Sequence, residues 1–329
     1  MIIAVDAVGG DHYPENPIAG SLGALNKQPD LNILFVGPEE LIRRELEKVE
    51  DDFDSDRVDI LHAPEIITMD DSASAVLKDK RNSSISVGLH AHKTGVCNAF
   101  VSAGHTGALL AASTLLLGKI EGVIRPTIGT IYPTINGVRL LIDAGANLEL
   151  KPEMYYQFGV MGSIFVEEIL KINNPRIGLV NVGEEMEKGT EIHRAAHSRL
   201  RDLDNFIGNI EGKDILAGKA DVFLTDGFTG NIILKFGESI PSILKKLFNM
   251  HMQNMSVNEE TQQQIYSILA EAMHTFDYEH VGGIPFLGVN GVSFVGHGGS
   301  SANAIKNMIL NASHCIENGV NEKIRDSLN

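Results

Sequence analysis

Polar, glycine-rich turns recur along this chain, and each of them follows a short apolar run. They carry carboxylates, amides, hydroxyls, histidines and lysines beside glycines, whose backbone a ligand can approach closely. Such groups can bind a small oxyanion and stabilise an oxyanionic transition state without a covalent enzyme intermediate. The candidate site residues in and around these turns are Asp6, Gly9, Gly10, Asp11, His62, Gly104, Thr106, Gly107, Asn147, Lys188, Gly230, Asn231 and Lys235.

The first of these turns lies near the start of the chain. Ile2–Val5 is a continuous apolar run, typical of a strand buried on both faces, and it is followed by Asp6, Gly9, Gly10 and Asp11. Glycines can adopt positive φ and expose their backbone, so a ligand-binding turn is one interpretation. An ordinary strand-to-helix turn, in which the carboxylates cap the next helix, is the other.

A second candidate turn connects Ala99–Ser102, a predicted strand, to Ala108–Leu117, a predicted apolar helix. Gly104, Thr106 and Gly107 lie in this turn, next to the first N–H groups of the helix. Free N–H groups and the helix dipole favour an anion at such a position. Close packing of the helix on the sheet through Gly107 is the alternative interpretation.

Several kinds of chemistry are excluded because their motifs are missing. The sequence has no G-x-G-x-x-G, G-x-x-x-x-G-K-[ST], G-x-S-x-G or H-E-x-x-H, which are the marks of dinucleotide sites, P-loops, nucleophile elbows and zincins. The two cysteines, Cys97 and Cys315, have no C-x-x-C partner, so neither a disulfide framework nor a zinc site is indicated. We expect no metal and no cofactor.

The overall charge limits the partners. The chain has 329 residues, of which 43% are hydrophobic, and a formal net charge of −16. Nucleic-acid binders normally present a basic face, so no nucleic-acid partner is expected, and an anionic substrate needs a local cationic pocket. The opening apolar run is too short for a signal peptide, and no run reaches the roughly 18 apolar residues of a membrane span. We therefore expect a cytoplasmic protein.

An α/β fold must position these turns, because buried strands and amphipathic helices alternate along the chain. We predict a single three-layer α/β/α domain over residues 1–329, with a mostly parallel sheet and a helical excursion near residues 239–276. Parallel strands share a direction, so the turns at their carboxyl ends should converge on one edge of the sheet. The predicted strands are Ile2–Val5, Asn32–Val36, Val58–Leu61, Ala99–Ser102, Pro126–Ile131, Val138–Ile142, Arg176–Val182, Val222–Thr225 and Val292–Val295.

Two helical surfaces have several interpretations. The apolar stripes of the helical excursion predict core or dimer packing, and a membrane-surface patch is the minority interpretation. Arg194, His197 and Arg201 share one face of a predicted helix over Glu191–Leu203. Such a stripe is typical of a solvated face.

The turns, in this order, resemble those of the PlsX family of bacterial phosphate acyltransferases over nearly the full length. The resemblance implies transfer of a long-chain fatty acyl group from acyl carrier protein to inorganic phosphate, which forms acyl phosphate for phospholipid synthesis. It implies a homodimer with a fold similar to isocitrate and isopropylmalate dehydrogenases and to phosphate acetyltransferases. It also implies peripheral membrane association, near the glycerol-3-phosphate acyltransferase that uses the product. The resembling segments are Asp6–Asp11, Ser102–Ala108, Asp143–Asn147, Asn181–Glu184, Lys188-Gly189 and Asp226–Asn231.

This chain departs from the family pattern at three places. Val8 stands where Met is usual, and His105 stands where Asn is typical. The residues before His297 are Phe-Val-Gly, without the usual basic residue, and Gly299 is an extra glycine in the loop that follows. We therefore expect no positive charge from the last strand.

The chemistry of the residues fits this reaction, because phosphate is itself the nucleophile. We expect Lys188 and the amides around Gly230 and Asn231 to hold phosphate, while Asn231 and Asn147 orient phosphate or the thioester carbonyl. Lys235 would add positive charge, and His62 is a candidate proton carrier or polar lining.

The Arg194, His197 and Arg201 stripe becomes a candidate dock for acyl carrier protein, since that partner is strongly acidic. Two other functions stay open at this point. One is a short-chain phosphate acyltransferase that uses coenzyme A thioesters, and the other is a non-catalytic, membrane-associated scaffold of lipid enzymes.

Overall fold

The structure is a computed structural model that describes residues 1–49, 53–255, 257–273 and 282–329. In these ranges the chain forms one sheet of eleven strands. The strands are β1 (Ile2–Asp6), β2 (Asn32–Gly37), β3 (Val58–His62), β4 (Ala99–Ser102), β5 (Thr127–Thr134), β6 (Gly137–Ile142), β7 (Ile177–Val180), β8 (Phe206–Ile210), β9 (Val222–Leu224), β10 (Ile284–Leu287) and β11 (Val292–Val295).

Helices alternate with these strands, as the sequence predicts. The helix α5 continues directly into a π-helical turn over Ser113–Leu117. The helices are α1 (Glu15–Leu25), α2 (Glu39–Leu46), α3 (Ala75–Lys78), α4 (Ser84–Lys93), α5 (Thr106–Ala112), α6 (Pro152–Glu168), α7 (Glu191–Leu200), α8 (Gly212–Leu216), α9 (Gly227–Asn254), α10 (Glu259–Met273), α11 (Ala302–Glu317) and α12 (Val320–Leu328).

Helices pack on both faces of the sheet. Successive side chains of a strand point to opposite faces, so neighbours on β1 belong to different layers. Ile3 packs in one apolar cluster with Ile18 of α1, whereas Ala4 packs in another cluster with Leu89 of α4. The strands β7 and β9 are apolar and buried along their whole length because both of their faces are covered.

Strand direction reverses in the middle of the sheet. The strand order is β3-β2-β1-β4-β11-β10-β5-β6-β9-β7-β8. Seven of the ten pairings are parallel, and the antiparallel ones are β11–β10, β10–β5 and β5–β6. The mostly parallel sheet is confirmed. Three reversals leave β6, β9, β7 and β8 running opposite to β3, β2, β1, β4 and β11, so the expected convergence of all turns on one edge is wrong.

The predicted strands all lie within two or three residues of observed ones, but two strands were missed. Pro285 interrupts β10, and proline cannot donate to a strand ladder, so this segment does not resemble a strand in the sequence. Gly208 and Asn209 break the apolar pattern of β8. Both strands depend on neighbours far along the chain rather than on their own sequence.

The helical excursion begins earlier than predicted. The pattern predicts a helix from residue 239, but α9 begins at Gly227, because the carboxylate of Asp226 accepts the N–H of Thr229 at 2.8 Å and caps it. The region contains two helices, since α9 ends at Asn254 and α10 begins at Glu259. The predicted end at residue 276 lies outside the described residues. Among the described residues, no helix has the length and apolarity needed to cross a membrane.

Candidate functional site

The turns that follow β1, β4 and β11 form one group, which we call the Asp6 cluster (residues 6–11, 102–107 and 296–301). Its strands are neighbours and parallel, so their carboxyl ends lie at the same edge. The N–H of Asp11 donates to the carbonyl of Gly298 at 2.7 Å. Gly10 has φ +97°, and a Cβ there would lie 2.8 Å from the same carbonyl oxygen. These contacts hold the turn after β1 against the turn after β11.

A buried carboxylate lies beneath the Asp6 cluster. Asp6 is 3% exposed, and its Oδ2 accepts the hydroxyl of Ser102 at 2.6 Å. Its Oδ1 accepts the N–H of Val8 at 3.2 Å. Burial raises the pKa of Asp6, and hydrogen bonds from Ser102, Ser84 and Val8 oppose that rise. Asp6 therefore supports the turn from below, whereas Asp11 is exposed.

Three histidines at this edge each accept a backbone N–H through Nδ1, as a neutral imidazole can. His105 accepts from Ala108 at 3.1 Å and so caps α5, which is the role that asparagine performs at helix starts. His297 accepts from Gly299 at 3.1 Å. His62 accepts from Glu39 at 3.2 Å, at the start of α2. It lies on the outermost strand, at the edge opposite to Lys188 and Asn231.

The turns that follow β6, β7 and β9 form a second group, which we call the Asp143 cluster (residues 143–147, 181–190 and 226–231). These three strands are neighbours and parallel, so their turns share the other edge of the sheet. The carboxylate of Asp143 is fully buried and accepts the N–H groups of Gly145, Ala146 and Asn147 at 2.8–2.9 Å. It also accepts the side-chain amide of Asn147 at 2.8 Å. Burial raises the pKa of Asp143, and these four hydrogen bonds oppose that rise.

The first turn of α9 packs directly on the Asp143 turn. The hydroxyl of Thr225 donates to the carbonyl of Asp143 at 2.9 Å. A Cβ on Gly230 would lie 1.9 Å from the same carbonyl oxygen, so only glycine fits at this position. The amide of Asn231 donates to the carbonyl of Ala144 at 3.4 Å, and Asn231 is partly exposed.

Two lysines lie at this edge. Lys188 is exposed, and the amide of Asn181 donates to its backbone carbonyl at 3.2 Å. Gly189, with φ +85°, brings the chain back over Asn181. Lys235 is also exposed and lies one helical turn after Asn231 on α9. The structure therefore brings Lys188, Asn231 and Lys235 to one edge of the sheet.

The predicted residues thus divide between the two clusters. Asn147 joins the Asp143 cluster, but both of its amide hydrogens are already donated, to Asp143 and to the carbonyl of Pro126 at 2.9 Å. Asp143 itself was not chosen from the sequence, although a carboxylate directly before Ala-Gly-Ala-Asn is a signal for such a turn. Asp6, Gly9, Gly10, Asp11, Gly104, Thr106 and Gly107 belong to the Asp6 cluster, and Asn147, Lys188, Gly230 and Asn231 belong to the Asp143 cluster, with Lys235 beside it.

The expected stripe on α7 is not continuous. His197 is 8% exposed and packs edge-on against the ring of Phe206, with 5.2 Å between ring centroids. Its assignment to a solvated face is wrong, because the helix turns this position towards β8. Arg194 and Arg201 remain exposed, and Arg194 donates to the carbonyl of Gly189 at 2.8 Å.

Comparison with known proteins adds to this geometry. Residues 1–323 match the family model described as fatty acid synthesis protein. The chain is 43% identical over 335 residues to a phosphate acyltransferase of Chlorobaculum parvum, and the match covers 98% of each chain. It is 40% identical over 332 residues to a phosphate acyltransferase of Halothermothrix orenii, covering 100% of this chain and 99% of that one.

Solved structures with the same fold include two phosphotransacetylases. The enzyme from Streptococcus pyogenes superposes with a TM-score of 0.62 at 17% identity, covering 96% of this chain and 94% of that one. The EutD phosphotransacetylase from Staphylococcus aureus gives a TM-score of 0.58 at 13% identity, covering 95% and 94%. At such low identity these matches show a shared fold alone.

Proposed function

This chain belongs to the PlsX family of fatty acid synthesis proteins, the phosphate acyltransferases, and we propose that it transfers a long-chain fatty acyl group from acyl carrier protein to inorganic phosphate. The observation that carries the proposal is the edge formed by the Asp143 cluster. There Lys188 follows β7, and the start of α9, with Asn231 and Lys235, follows the neighbouring parallel strand β9. In a chain of net charge −16, these two lysines and the amide of Asn231 provide positive charge and a hydrogen-bond donor for a small anion.

The reaction needs no nucleophile from the enzyme. A phosphate oxygen attacks the thioester carbonyl, the carbon–oxygen bond forms, and the carbon–sulfur bond breaks. The proton of hydrogen phosphate passes to the departing thiolate, so the products are acyl phosphate and free carrier thiol. The enzyme contributes position and stabilisation of the oxyanion, which Lys188 and the amide of Asn231 supply. Because Gly230 has no side chain, the first turn of α9 lies against the Asp143 turn and holds Asn231 beside it.

The positions of the lysines support different roles for the two clusters in the reaction. The turns of the Asp6 cluster contain carboxylates and histidines but neither lysine nor arginine. They suit an uncharged part of the donor away from the thioester carbonyl, because that carbonyl must lie at the Asp143 cluster for phosphate to attack it. Phosphate belongs with Lys188 and Lys235. Asp6 and Asp11 therefore contribute to the donor side and do not contact phosphate directly.

Further features support the partners that the family resemblance implies. Arg194 and Arg201 are exposed, and Arg194 contacts Gly189 beside Lys188, which suits docking of the acidic carrier protein. Exposed apolar side chains on α9 suit a homodimer interface or contact with a membrane surface. We place the protein in the cytoplasm, peripherally associated with the membrane and near the glycerol-3-phosphate acyltransferase. The residues with this exposed apolar character are Phe228, Ile232, Phe236, Ile243 and Leu247.

The test is to incubate purified protein with palmitoyl-acyl carrier protein, with and without inorganic phosphate. Release of free carrier and an acyl product that hydroxylamine traps should both depend on phosphate. A parallel reaction with acetyl-coenzyme A distinguishes the short-chain enzyme. Turnover of acetyl-coenzyme A alone would contradict the long-chain donor. No phosphate-dependent release from either thioester would contradict the transferase and favour a scaffold.

A further inference from the structure

The last residues of β1 and β4 connect two turns of the Asp6 cluster through one buried linkage. The N–H of Gly104 donates to the hydroxyl oxygen of Ser102 at 3.0 Å, and that hydroxyl donates to Asp6 at 2.6 Å. The other oxygen of Asp6 accepts the N–H of Val8 at 3.2 Å. One carboxylate thus holds the turn after β1 with one oxygen and the turn after β4 with the other. Ser102 is 1% exposed, so the whole linkage is shielded from water.

The two turns also pack directly on this linkage. A Cβ on Gly9 would lie 2.7 Å from Oδ2 of Asp6 and 2.8 Å from the hydroxyl of Ser102. A Cβ on Gly104 would lie 3.1 Å from the same hydroxyl and 3.5 Å from Gly9. The spacing between the turns is therefore fixed by the carboxylate and the hydroxyl. Because both groups are buried below the turns, they act on a bound molecule only through the backbone above them.

We propose that Asp6 and Ser102 are positioning residues that set the spacing of these two turns, and thereby the surface on which the acyl donor lies. This inference rests on the proposed function, since the donor is the carrier thioester. From the sequence, Asp6 is a candidate binding residue. In this proposal Asp6 does not contact the donor but supports the turns that bind it. Low-dielectric surroundings strengthen these hydrogen bonds. Removing one partner is costly, because the polar groups that remain stay buried without a hydrogen bond.

The chain provides a matched control at the same carboxylate. Ser84, at the start of α4, is buried and also opposes the rise in the pKa of Asp6, but α4 carries no turn of the cluster. Ser102→Ala and Ser84→Ala each remove one buried hydroxyl that acts on Asp6. If spacing of the turns matters, only the first change should alter the use of the donor, although both should lower the midpoint of thermal unfolding.

The experiment measures steady-state kinetics with palmitoyl-acyl carrier protein and phosphate varied separately. We expect Ser102→Ala and Asp6→Asn each to raise the KM for the carrier thioester about tenfold, or about 1.4 kcal/mol. The KM for phosphate should stay within about twofold of wild type in both. The double variant should raise the carrier KM far less than a hundredfold, because both changes break the same linkage. Ser84→Ala should leave both KM values unchanged.

Three results would overturn the inference. They are an unchanged carrier KM in Ser102→Ala, an equal rise in both KM values, and an equal carrier KM rise in Ser84→Ala. If Asp6→Asn does not fold, Ser102→Ala decides the matter alone, since it retains the carboxylate. An inactive wild-type enzyme would instead refute the proposed function, so the two failures can be distinguished.

Discussion

Substitution of Gly230 by alanine tests the close contact between α9 and the Asp143 turn. The new Cβ would lie 1.9 Å from the carbonyl oxygen of Asp143, whereas ordinary contacts of this kind begin at 3.4 Å. The start of α9 must therefore move by roughly 1.5 Å, because the obstructing atom belongs to the backbone and cannot rotate away. Overpacking of this kind costs about 1–3 kcal/mol of stability. The displacement also moves Asn231, and a misplacement of about 1 Å can cost about a hundredfold in rate.

The assay compares Gly230→Ala with Gly212→Ala by urea unfolding and by phosphate-dependent turnover. Gly212 begins α8, and a Cβ there would meet no atom within 4 Å, so it supplies a glycine-to-alanine change without steric cost. We expect loss of stability and a roughly hundredfold lower turnover in the first variant only. Wild-type stability and turnover in Gly230→Ala would refute this account of the turn.

Three further outcomes are expected. His105→Ala should lower the free energy of unfolding by about 1 kcal/mol in urea titration, and His105→Asn should restore it, because asparagine also caps a helix; equal losses would contradict the cap. Burial raises the pKa of Cys97 to about 11, so a thiol reagent at pH 8 should modify it only after unfolding; rapid modification of folded protein would disprove this. Asp221 contacts Arg139 at 2.7 Å and Arg176 at 3.0 Å. Asp221→Ala should cost about 3–5 kcal/mol in denaturant titration, and a change below 1 kcal/mol would be inconsistent with a buried pair.

Local patterns predicted most of the elements. Continuous apolar runs predicted strands such as β7 and β9, since strands covered on both faces typically carry such runs. The hydroxyl of Ser83 accepts the N–H of Ser86 at 3.4 Å and caps α4, and serine is a residue type typical of this position. Caps and apolar runs depend on neighbouring residues, so they are visible in the sequence. The dehydrogenase-like description of the fold stays a prediction.

Strand direction could not be predicted in the same way. β10 lies between β11 and β5 and is antiparallel to both. Nothing within Ile284–Leu287 specifies those partners, which lie elsewhere in the chain. The number of turns at each edge depends on this long-range pairing. For this reason the sequence predicted the glycine-rich turns individually but grouped them at one edge, whereas they form two clusters.

The burial of His197 could not be predicted from the sequence either. The spacing of Arg194, His197 and Arg201 is that of one helical face. Ala196 and Leu200, on the adjacent part of the helix, are buried in the core. His197 lies on the boundary and becomes buried with them. Spacing alone therefore identifies a face without showing how far the core extends around the helix.

Under the proposed function, Lys188 holds the phosphate that accepts the acyl group. The most direct measurement is kcat/KM for inorganic phosphate, at saturating palmitoyl-acyl carrier protein, in Lys188→Ala and in the control Lys27→Ala. Lys27 is exposed after α1 and belongs to neither cluster. We expect about a hundredfold loss or more in the first variant and no change in the second, with both proteins folded. A wild-type value in Lys188→Ala would contradict the claim.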